Sequence, residues 1–281
     1  MVTQLKTSDG NTYHSDNISP LARLDIPGGG QVTIEENYAY IGYMYGPEGT
    51  SIIDISNPKE PKVVWTTKLD NPQAHSHKVR VLGDYMVTNC EQRPRAGIKM
   101  TKEFDDHGVK IWDIKDKTRP KLINYHKTGG RGVHRFDMDD DYLYLSTEME
   151  GYLGHILVIY DWRNPEKLEE VSRWWIPGQH TAGGEEPGPL KREHRLHHAL
   201  RHGDHLFAGL WMSGFAIIAT PEALPLGADI EQHNTYHHLT PEEAAEVKEM
   251  AHCHTNQHAS LPTQDGHATQ QVEHHGRSDP S

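Results

Sequence analysis

The chain has 281 residues, of which 35% are hydrophobic, and its formal net charge is −12. No basic stripe offsets this charge, so the composition argues against a nucleic-acid partner and against binding to an anionic membrane. Two cysteines are too few for a disulfide framework, and no apolar run has the length of a signal peptide or a membrane-spanning helix. We therefore expect a cytoplasmic protein.

A four-strand unit repeats along the chain after a polar N-terminal segment, residues 1–27. Each unit starts with an apolar strand, turns at a polar residue and continues with a second apolar strand. These turns recur at Asn37, Asp84, Asp141 and Asp204, at intervals of 47, 57 and 63 residues. A third strand ending in Asp, a Pro-containing turn and a fourth strand follow in the stretches 49–64, 108–123 and 157–171, with a remnant at 214–220.

The composition of these runs predicts β-strands. They contain β-branched and aromatic residues in stretches of four to six, bounded by Gly, Pro and Asp. Repeats of about 40 to 50 residues with four strands each are typical of β-propeller blades. We predict an all-β protein, a β-propeller with about four blades over residues 28–220.

The repeated unit resembles the LVIVD-repeat β-propeller proteins, whose module reads H-x-V-x-V-x-G-D-Y-A-Y-V followed by G-x-x-V-x-D-I-S-D-P-x-x-P. The matching stretches are HKVRVLGDYMVTN with GVKIWDIKDKTRP, and HRFDMDDDYLYLST with HILVIYDWRNP. The resemblance covers about residues 28–218 and implies blades packed around a central channel. The family has no single agreed activity, so the resemblance implies a fold more than a function.

The repeat breaks near Thr220, because Ala219 takes the place of the Asp that ends the third strand in the earlier units. Residues 221–281 form a His-rich tail that we expect to be largely disordered, apart from one short helix at 238–251. Three interpretations remain: a natural four-blade protein, an assembly with another chain, or a truncated or frameshifted product, and loss of later blades is favoured. An open propeller would expose strand edges and promote homo-oligomers.

Three histidines share one position in the repeat. His77, His134 and His197 each lie seven residues before the turn aspartate, whereas the first unit has Gly30 there. Equivalent positions of blades form a ring around an axis, and neutral imidazole is a common ligand of Fe, Cu and Zn. We therefore predict a divalent transition-metal site. The alternative is that these histidines only cap strands and hydrogen-bond loop carbonyls.

Further residues near this position are candidates for the same site. His75 lies two residues before His77, on the same face of an extended strand, and His198 is an alternative ligand to His197. Glu148 and Glu150 follow the second strand of the third unit and are predicted as catalytic acid–base residues. Glu91 and Arg93 occupy nearly the same place one unit earlier. The alternative for these acids is simple solvation, and the loop containing His180 is a candidate lid.

Two functional hypotheses follow. The first is a metal-dependent enzyme that acts on a small organic molecule by oxygenation, hydration or lyase chemistry. The second is a non-catalytic propeller that presents a loop face to a protein partner. Metal that is lost on substitution of the registered histidines, and retained on substitution of tail histidines, would distinguish them.

Overall fold

The computed structural model describes residues 20–93, 104–190 and 194–219. Within these ranges the chain is all-β, with antiparallel sheets and a single three-residue 3-10 helix, Thr181–Gly183. The predicted short helix at 238–251 and the His-rich tail lie outside the described residues. The described part of the chain contains no helix with the length and apolar character needed to cross a membrane.

The chain divides into two compact units. Unit one comprises Met1–His134 and Trp162–Leu168, and unit two comprises Arg135–Asp161 and Glu169–Ser281. The division falls inside strand β10, Gly129–Met138, whose first residues belong to unit one and whose last residues belong to unit two. Each unit is therefore described separately.

Unit one contains two antiparallel sheets built from strands that are consecutive in sequence. The first sheet has the order β1-β2-β3-β4: β1 (Gly29–Glu35), β2 (Tyr38–Tyr43), β3 (Glu48–Asp54) and β4 (Lys62–Lys68). The second sheet contains β5 (Ala74–His75), β6 (Val79–Leu82), β7 (Tyr85–Gln92), β8 (Gly108–Asp113) and β9 (Lys121–His126). On one side, β7 pairs with β5 and β6. On its other side it pairs with β8, which in turn pairs with β9.

Unit two repeats the same order of strands. β11, β12 and β13 continue the sheet begun by β10, and β14, β15 and β16 form a three-stranded sheet. Their bounds are β11 (Tyr142–Glu148), β12 (His155–Asp161), β13 (Glu169–Trp174), β14 (Leu196–His202), β15 (His205–Leu210) and β16 (Gly214–Ala219). The predicted order of four strands per repeat is present, and the last sheet has three strands among the described residues.

The Asp that ends the third strand of a repeat has a local structural role. Asp54 Oδ1 accepts the backbone N–H of Ser56 at 2.8 Å, and Asp113 Oδ1 accepts that of Lys115 at 2.9 Å. Such a bond two residues along the chain replaces the sheet partner that the backbone loses at the turn. The repeated Asp therefore marks where β3 and β8 stop.

Apolar side chains from successive strands fill the core of each unit. In unit one they include Tyr40, Ile52, Val79, Met86 and Ile114, all less than 1% exposed. In unit two Leu157, Leu196 and Leu206 belong to a corresponding cluster. Both clusters join residues of two sheets, so burial of apolar area holds neighbouring sheets together.

A polar side chain on the second strand of a sheet also bonds to the first strand of the next. Asn89 Nδ2, on β7, donates to the carbonyl oxygen of Val133 on β10 at 2.8 Å. Ser146 Oγ, on β11, donates to the carbonyl of Leu196 on β14 at 2.9 Å. Both donors lie five residues after the turn aspartate, and both acceptors lie eight residues before the next one. The repeat therefore specifies the contact between sheets as well as the strands.

Candidate metal site

The repeat position of His77 and His197 lies in a β-bulge. In the last sheet His198 pairs with Gly209 and Leu196 pairs with Leu210, so His197 is the extra residue of the bulge. The same one-residue shift occurs between Gly29 and Val32 of β1. Bulges are common beside functional sites because they turn a side chain out of the regular alternation of a strand.

The bulge around His77 separates β5 from β6. Val79 pairs with Thr88, whereas His75 pairs with Glu91. The segment from His75 to Val79 is therefore one residue longer than the segment of β7 that lies opposite it. On the other side of β7, Gly132 of β10 also pairs with Glu91. Glu91 is therefore flanked by two strands that each carry a predicted histidine, and both flanking residues belong to unit one.

The carboxylate of Glu91 accepts hydrogen bonds from two imidazoles. Its Oε2 atom lies 2.7 Å from His75 Nε2 and 2.9 Å from His134 Nδ1. His75 is 3% exposed and Glu91 is 7% exposed, whereas the side chain of His134 is 15% exposed. Because one oxygen accepts both bonds, the two rings are held against the same carboxylate.

Glu91 is ionised in this arrangement. Burial by itself would raise the pKa of Glu91, but the charge and hydrogen bond of His134, together with those of His75, outweigh burial and hold the pKa well below its usual range. The cluster therefore contains a buried carboxylate anion whose stabilisation depends on its two imidazole partners. A metal cation of higher charge could replace the protons that His75 and His134 share with the Glu91 carboxylate.

His77 completes the cluster from the bulge. Its ring stacks on that of His75, with centroids 4.1 Å apart and planes at 14°, and it lies 5.2 Å from the ring of His134. Ligand atoms of His75, His77 and Glu91 lie within 4.8 Å of one another, and all three residues are buried. Two imidazoles and a carboxylate are a usual ligand set for a divalent transition metal.

Asn89 determines the proton position of His77. Asn89 Oδ1 accepts the N–H of Lys78 at 2.8 Å and its Nδ2 donates to the Val133 carbonyl, so both ends of the amide are assigned by backbone partners. Nδ2 then faces His77 Nδ1 at 3.2 Å as a donor. His77 therefore has its proton on Nε2, and it must give up either this proton or the Asn89 bond to ligate a metal.

Gly30, which replaces the histidine in the first repeat, allows β1 to approach His77. A Cβ atom on Gly30 would lie 2.5 Å from the His77 carbonyl oxygen, and one on Gly42 would lie 2.6 Å from the His77 carbonyl carbon. The N–H of Gln31 donates to the same His77 oxygen at 2.9 Å. The glycine thus contributes to the packing of the site by being small.

A small cavity borders the cluster. It is lined by His75 and Arg93 together with residues that include Met44, Tyr45 and Gln73. The whole hollow, with its open mouth, measures about 180 Å³, and about 10 Å³ of it can hold the centre of a water molecule. About that much volume accommodates one water-sized ligand.

The other predicted site residues lie in unit two. His197 Nε2 accepts a hydrogen bond from Arg135 Nε at 3.2 Å, and its ring packs edge-on against Trp211 at 4.7 Å. His198 is half-buried on β14. Glu148 is buried at the end of β11, where it pairs with His155 of β12, and Glu150 is exposed in the turn that follows.

Glu91 is the site residue that sequence reasoning misses. Glu91 and Glu148 both lie seven residues after a turn aspartate, but only Glu148 is among the predicted acid–base residues. That shared register, combined with the histidine register, could have identified Glu91 as the partner of the histidines. The exact pairing with His75 depends on the bulge.

The predicted lid loop is closed on itself by Glu185 in unit two. Glu185 accepts the indole N–H of Trp175 at 3.1 Å and the backbone N–H groups of Gly178 and His180 at 2.6 and 3.0 Å. The His180 ring stacks on Tyr152, with centroids 4.4 Å apart. His180 is thus part of the packing of this loop.

Comparison with known proteins supports the repeat found in the sequence. The family model described as the LVIVD repeat matches residues 29–67, which include the strands of the first sheet. No curated protein matches the chain.

Three solved structures show a distant likeness. The computationally designed Ika4 protein has a TM-score of 0.45 at 8% identity, covering 71% of this chain and 95% of its own. The computationally designed Ika8 protein has a TM-score of 0.43 at 8% identity, with 68% and 45% covered. A Saccharomyces cerevisiae complex of Dbp5 bound to Nup159, Gle1, IP6 and ADP has a TM-score of 0.42 at 13% identity, with 75% and 48% covered. Likeness at this level does not bear on function.

Proposed function

Because this chain carries an LVIVD repeat, we propose that it is a β-propeller protein with about four blades that binds a divalent transition-metal ion, Fe, Cu or Zn, at His75, His77 and Glu91. The bound metal supports chemistry on a small organic molecule. The observation that carries this proposal is the approach of three buried ligand atoms to within 4.8 Å of one another.

The propeller part of the proposal is supported by the repeated links between sheets. Asn89 and Ser146 make the same bond to the first strand of the following sheet, and the N–H of Tyr43 donates to the Ser76 carbonyl between the first two sheets. A contact that recurs at one register is what radial repetition of blades requires.

The metal part is supported by the chemistry and the closeness of the three side chains. Two imidazoles and a carboxylate, all buried, could bind one cation together. Ligand atoms on one tetrahedral zinc ion lie about 3.3 Å apart, given bonds of about 2.0 Å. The observed separations need only small side-chain movements to reach that geometry. His134 then acts as the residue that orients the Glu91 carboxylate.

The catalytic part is limited by the size of the hollow next to His75. Pockets for drug-sized ligands usually have volumes of about 300 to 1,000 Å³. The hollow of about 180 Å³ therefore favours a substrate of a few heavy atoms. Glu148 and Glu150 stay predicted acid–base residues.

The test is metal content of the full-length protein by mass spectrometry after exposure to Fe, Cu and Zn in turn. Wild type is expected to retain about one ion per chain, and Glu91→Gln and His77→Ala are expected to lose it. Glu148→Gln and His197→Ala are matched controls, because they change the equivalent repeat positions in unit two, and both are expected to keep the ion.

Two outcomes would overturn the proposal. One is wild-type protein that is folded, by circular dichroism, but holds no metal, which would favour a propeller that binds a protein partner. The other is loss of the ion in His197→Ala together with its retention in Glu91→Gln, which would assign the metal to other ligands.

A further inference from the structure

A second hollow in unit one lies where the turns that follow β1, β6 and β8 come together. Its walls are formed by Glu35, Glu36, Tyr40, Gly83, Asp84 and Lys117. With its open mouth it measures about 370 Å³, and about 130 Å³ of it can hold the centres of water molecules. One water molecule needs about 10 to 15 Å³ on this measure, so the hollow has room for a small organic molecule.

The walls of this hollow are acidic. They carry three carboxylates and one lysine ammonium group, so their formal charge is −2. Within the described part of the chain, none of these four charged side chains forms an ion pair or a side-chain hydrogen bond. A cation that enters the hollow therefore meets carboxylates that are not already paired with a lysine or an arginine.

Tyr40 brings a buried hydroxyl to the same hollow. The residue is 0% exposed, and its ring packs with Val79 and Met86 in the core of unit one. The hydroxyl is its only polar side-chain atom, and among the described residues this hydroxyl has no hydrogen-bond partner. A buried hydroxyl without a partner is costly, and a ligand that bonds to it removes this cost.

The register of the first sheet directs the Tyr40 hydroxyl towards the carboxylates. Glu35 pairs with Tyr38, and Tyr40 is two residues further along β2, so the side chains of Glu35 and Tyr40 lie on the same face of the sheet. Burial raises the pKa of the Tyr40 hydroxyl, and the charges of Glu35 and Glu36 raise it further. The hydroxyl is therefore a neutral group at the end of the ring that these carboxylates border.

Glu36 occupies a backbone position that favours glycine. Its φ is 51°, and Gly83 and Gly203, which precede the turn aspartates of two other repeats, have φ values of 56° and 59°. Within the described ranges, Glu36 is the one residue other than glycine with a positive φ. Residues with a side chain rarely adopt this left-handed conformation, and such strain concentrates at functional sites. The turn thus holds a carboxylate at the hollow against its own conformational preference.

The carboxylates are spaced too widely to chelate one metal ion. In the part of the chain that the structure describes, the candidate ligand atoms that lie within 4.8 Å of one another are those of His75, His77 and Glu91. Three carboxylates on one ion would normally lie that close, because metal–oxygen bonds measure about 2.0 to 2.6 Å. A longer cation with a positive charge at each end can reach carboxylates on both sides of the hollow, and its charge matches that of the walls.

We propose that this hollow binds one short aliphatic diamine as its dication, whose ammonium groups pair with Glu35, Glu36 and Asp84 and donate a hydrogen bond to the Tyr40 hydroxyl. The inference goes beyond the proposed function and does not depend on it. Asp84 directly precedes β7, and Glu91 follows seven residues later, so roughly 20 Å of extended strand separates the hollow from the proposed metal site.

The test is calorimetric titration of 1,4-diaminobutane into the full-length, metal-free protein at about pH 7 and low ionic strength. Butylamine has the same chain with a single charge, and calcium chloride is the competing divalent cation. Tyr40→Phe removes the hydroxyl alone, and Glu36→Gly removes one carboxylate together with the backbone strain. Glu60→Gln is the matched control, because Glu60 is exposed in another turn of unit one and the substitution removes the same charge.

Wild type and Glu60→Gln are expected to bind about one diamine per chain, and butylamine about ten-fold more weakly, because it leaves carboxylates without a partner. Tyr40→Phe is expected to bind the diamine about five-fold more weakly at an unchanged Tm, since its hydroxyl has no protein partner to lose. Glu36→Gly is expected to weaken binding about three-fold and to raise the Tm. A purely structural role of Glu36 would not combine weaker binding with higher stability.

Three results would overturn the inference. The first is the absence of saturable binding, and the second is an unchanged affinity in either Tyr40→Phe or Glu36→Gly. The third is displacement of the diamine by stoichiometric Ca²⁺, which would assign the hollow to a metal ion. The titration contains no transition metal, so failure of the proposed metal site would leave its result unaffected.

Discussion

Gly30 lies so close to His77 that a Cβ atom on the glycine would be 2.5 Å from the histidine's carbonyl oxygen. The atom in the way is backbone, which cannot move without disturbing the bond that Gln31 donates to the same oxygen at 2.9 Å. The missing side chain in the first repeat is therefore what allows β1 to pack on the candidate site.

Gly30→Ala is therefore expected to lower the free energy of unfolding by about 1 to 3 kcal/mol, the usual cost of overpacking. Urea-induced unfolding measures this. Gly28→Ala is the control, since a Cβ there meets nothing within 4 Å, and it is expected to be nearly neutral. Equal effects of the two substitutions would contradict this account of Gly30.

Asn89→Ala is expected to destabilise the protein more than Ser146→Ala. The amide satisfies the buried N–H of Lys78 and the carbonyl of Val133, whereas the serine satisfies one carbonyl, that of Leu196. Each buried group left without a partner costs about 1 to 3 kcal/mol. Thermal unfolding of both variants tests this order, and a larger loss in Ser146→Ala would disprove it.

Tyr144→Phe tests a polar network in unit two. The hydroxyl of Tyr144 donates to Asp139 Oδ2 at 2.6 Å and accepts from Arg201 Nη1 at 2.7 Å, while Arg201 also donates to Asp139 at 2.8 Å. Removing the hydroxyl is expected to cost about 1 to 2 kcal/mol in urea unfolding, because both bonds involve charged partners.

The matched control is Tyr142→Phe. Tyr142 is two residues away on the same strand, and its hydroxyl has no hydrogen-bond partner among the described residues. It is expected to change stability by less than about 0.5 kcal/mol. In an Arg201→Met background the effect of Tyr144→Phe should shrink, and an undiminished effect would mean that the two residues are not coupled.

The loop closed by Glu185 is expected to open in acid. Burial alone would raise the pKa of Glu185, but the bonds from Trp175, His180 and Gly178 lower it below 4.5. A lowered folded-state pKa stabilises the closed loop fully above about pH 4.5, and this contribution is lost as the pH falls through the folded-state pKa. The indole N–H signal of Trp175 in NMR spectra reports the opening.

Glu185→Gln should remove this acid dependence and loosen the loop already at neutral pH, because the amide offers one acceptor oxygen where the carboxylate offers two. Glu186→Gln, a neighbouring exposed position, should leave the titration of the Trp175 signal unchanged. A titration that persists in Glu185→Gln would assign the acid sensitivity to another group.

Much of the fold could be predicted from the sequence, because strands of one sheet are consecutive and each ends at a polar turn. The apolar runs before and after Asp84 and Asp141 are strands, as predicted, and the LVIVD resemblance is confirmed at residues 29–67. Alternation along an extended chain also predicted that His75 and His77 share a face, and their rings stack. These predictions depend on local periodicity alone.

The pairing of Glu91 could not be predicted in the same way. Opposite residues in a regular antiparallel pair follow from counting back from the turn, but one bulge between Val79 and His75 shifts every later pair by one position. A bulge leaves no reliable mark in the apolar pattern. Three of the predicted ligands gather in unit one, whereas His197 and Glu148 lie in unit two, and sequence register alone does not separate these sets.

The bond from Ser146 to Leu196 joins residues 50 positions apart in the chain. Such a direct contact between β11 and β14 is compatible with repeat intervals that range from 47 to 63 residues. The loop between β13 and β14 has a buried part, because Ile176 belongs to the core of unit two and Leu190 packs against it, and an exposed part at residues 181–184. The exposed part is a natural place for grafting, because a foreign peptide inserted there would replace no core residue.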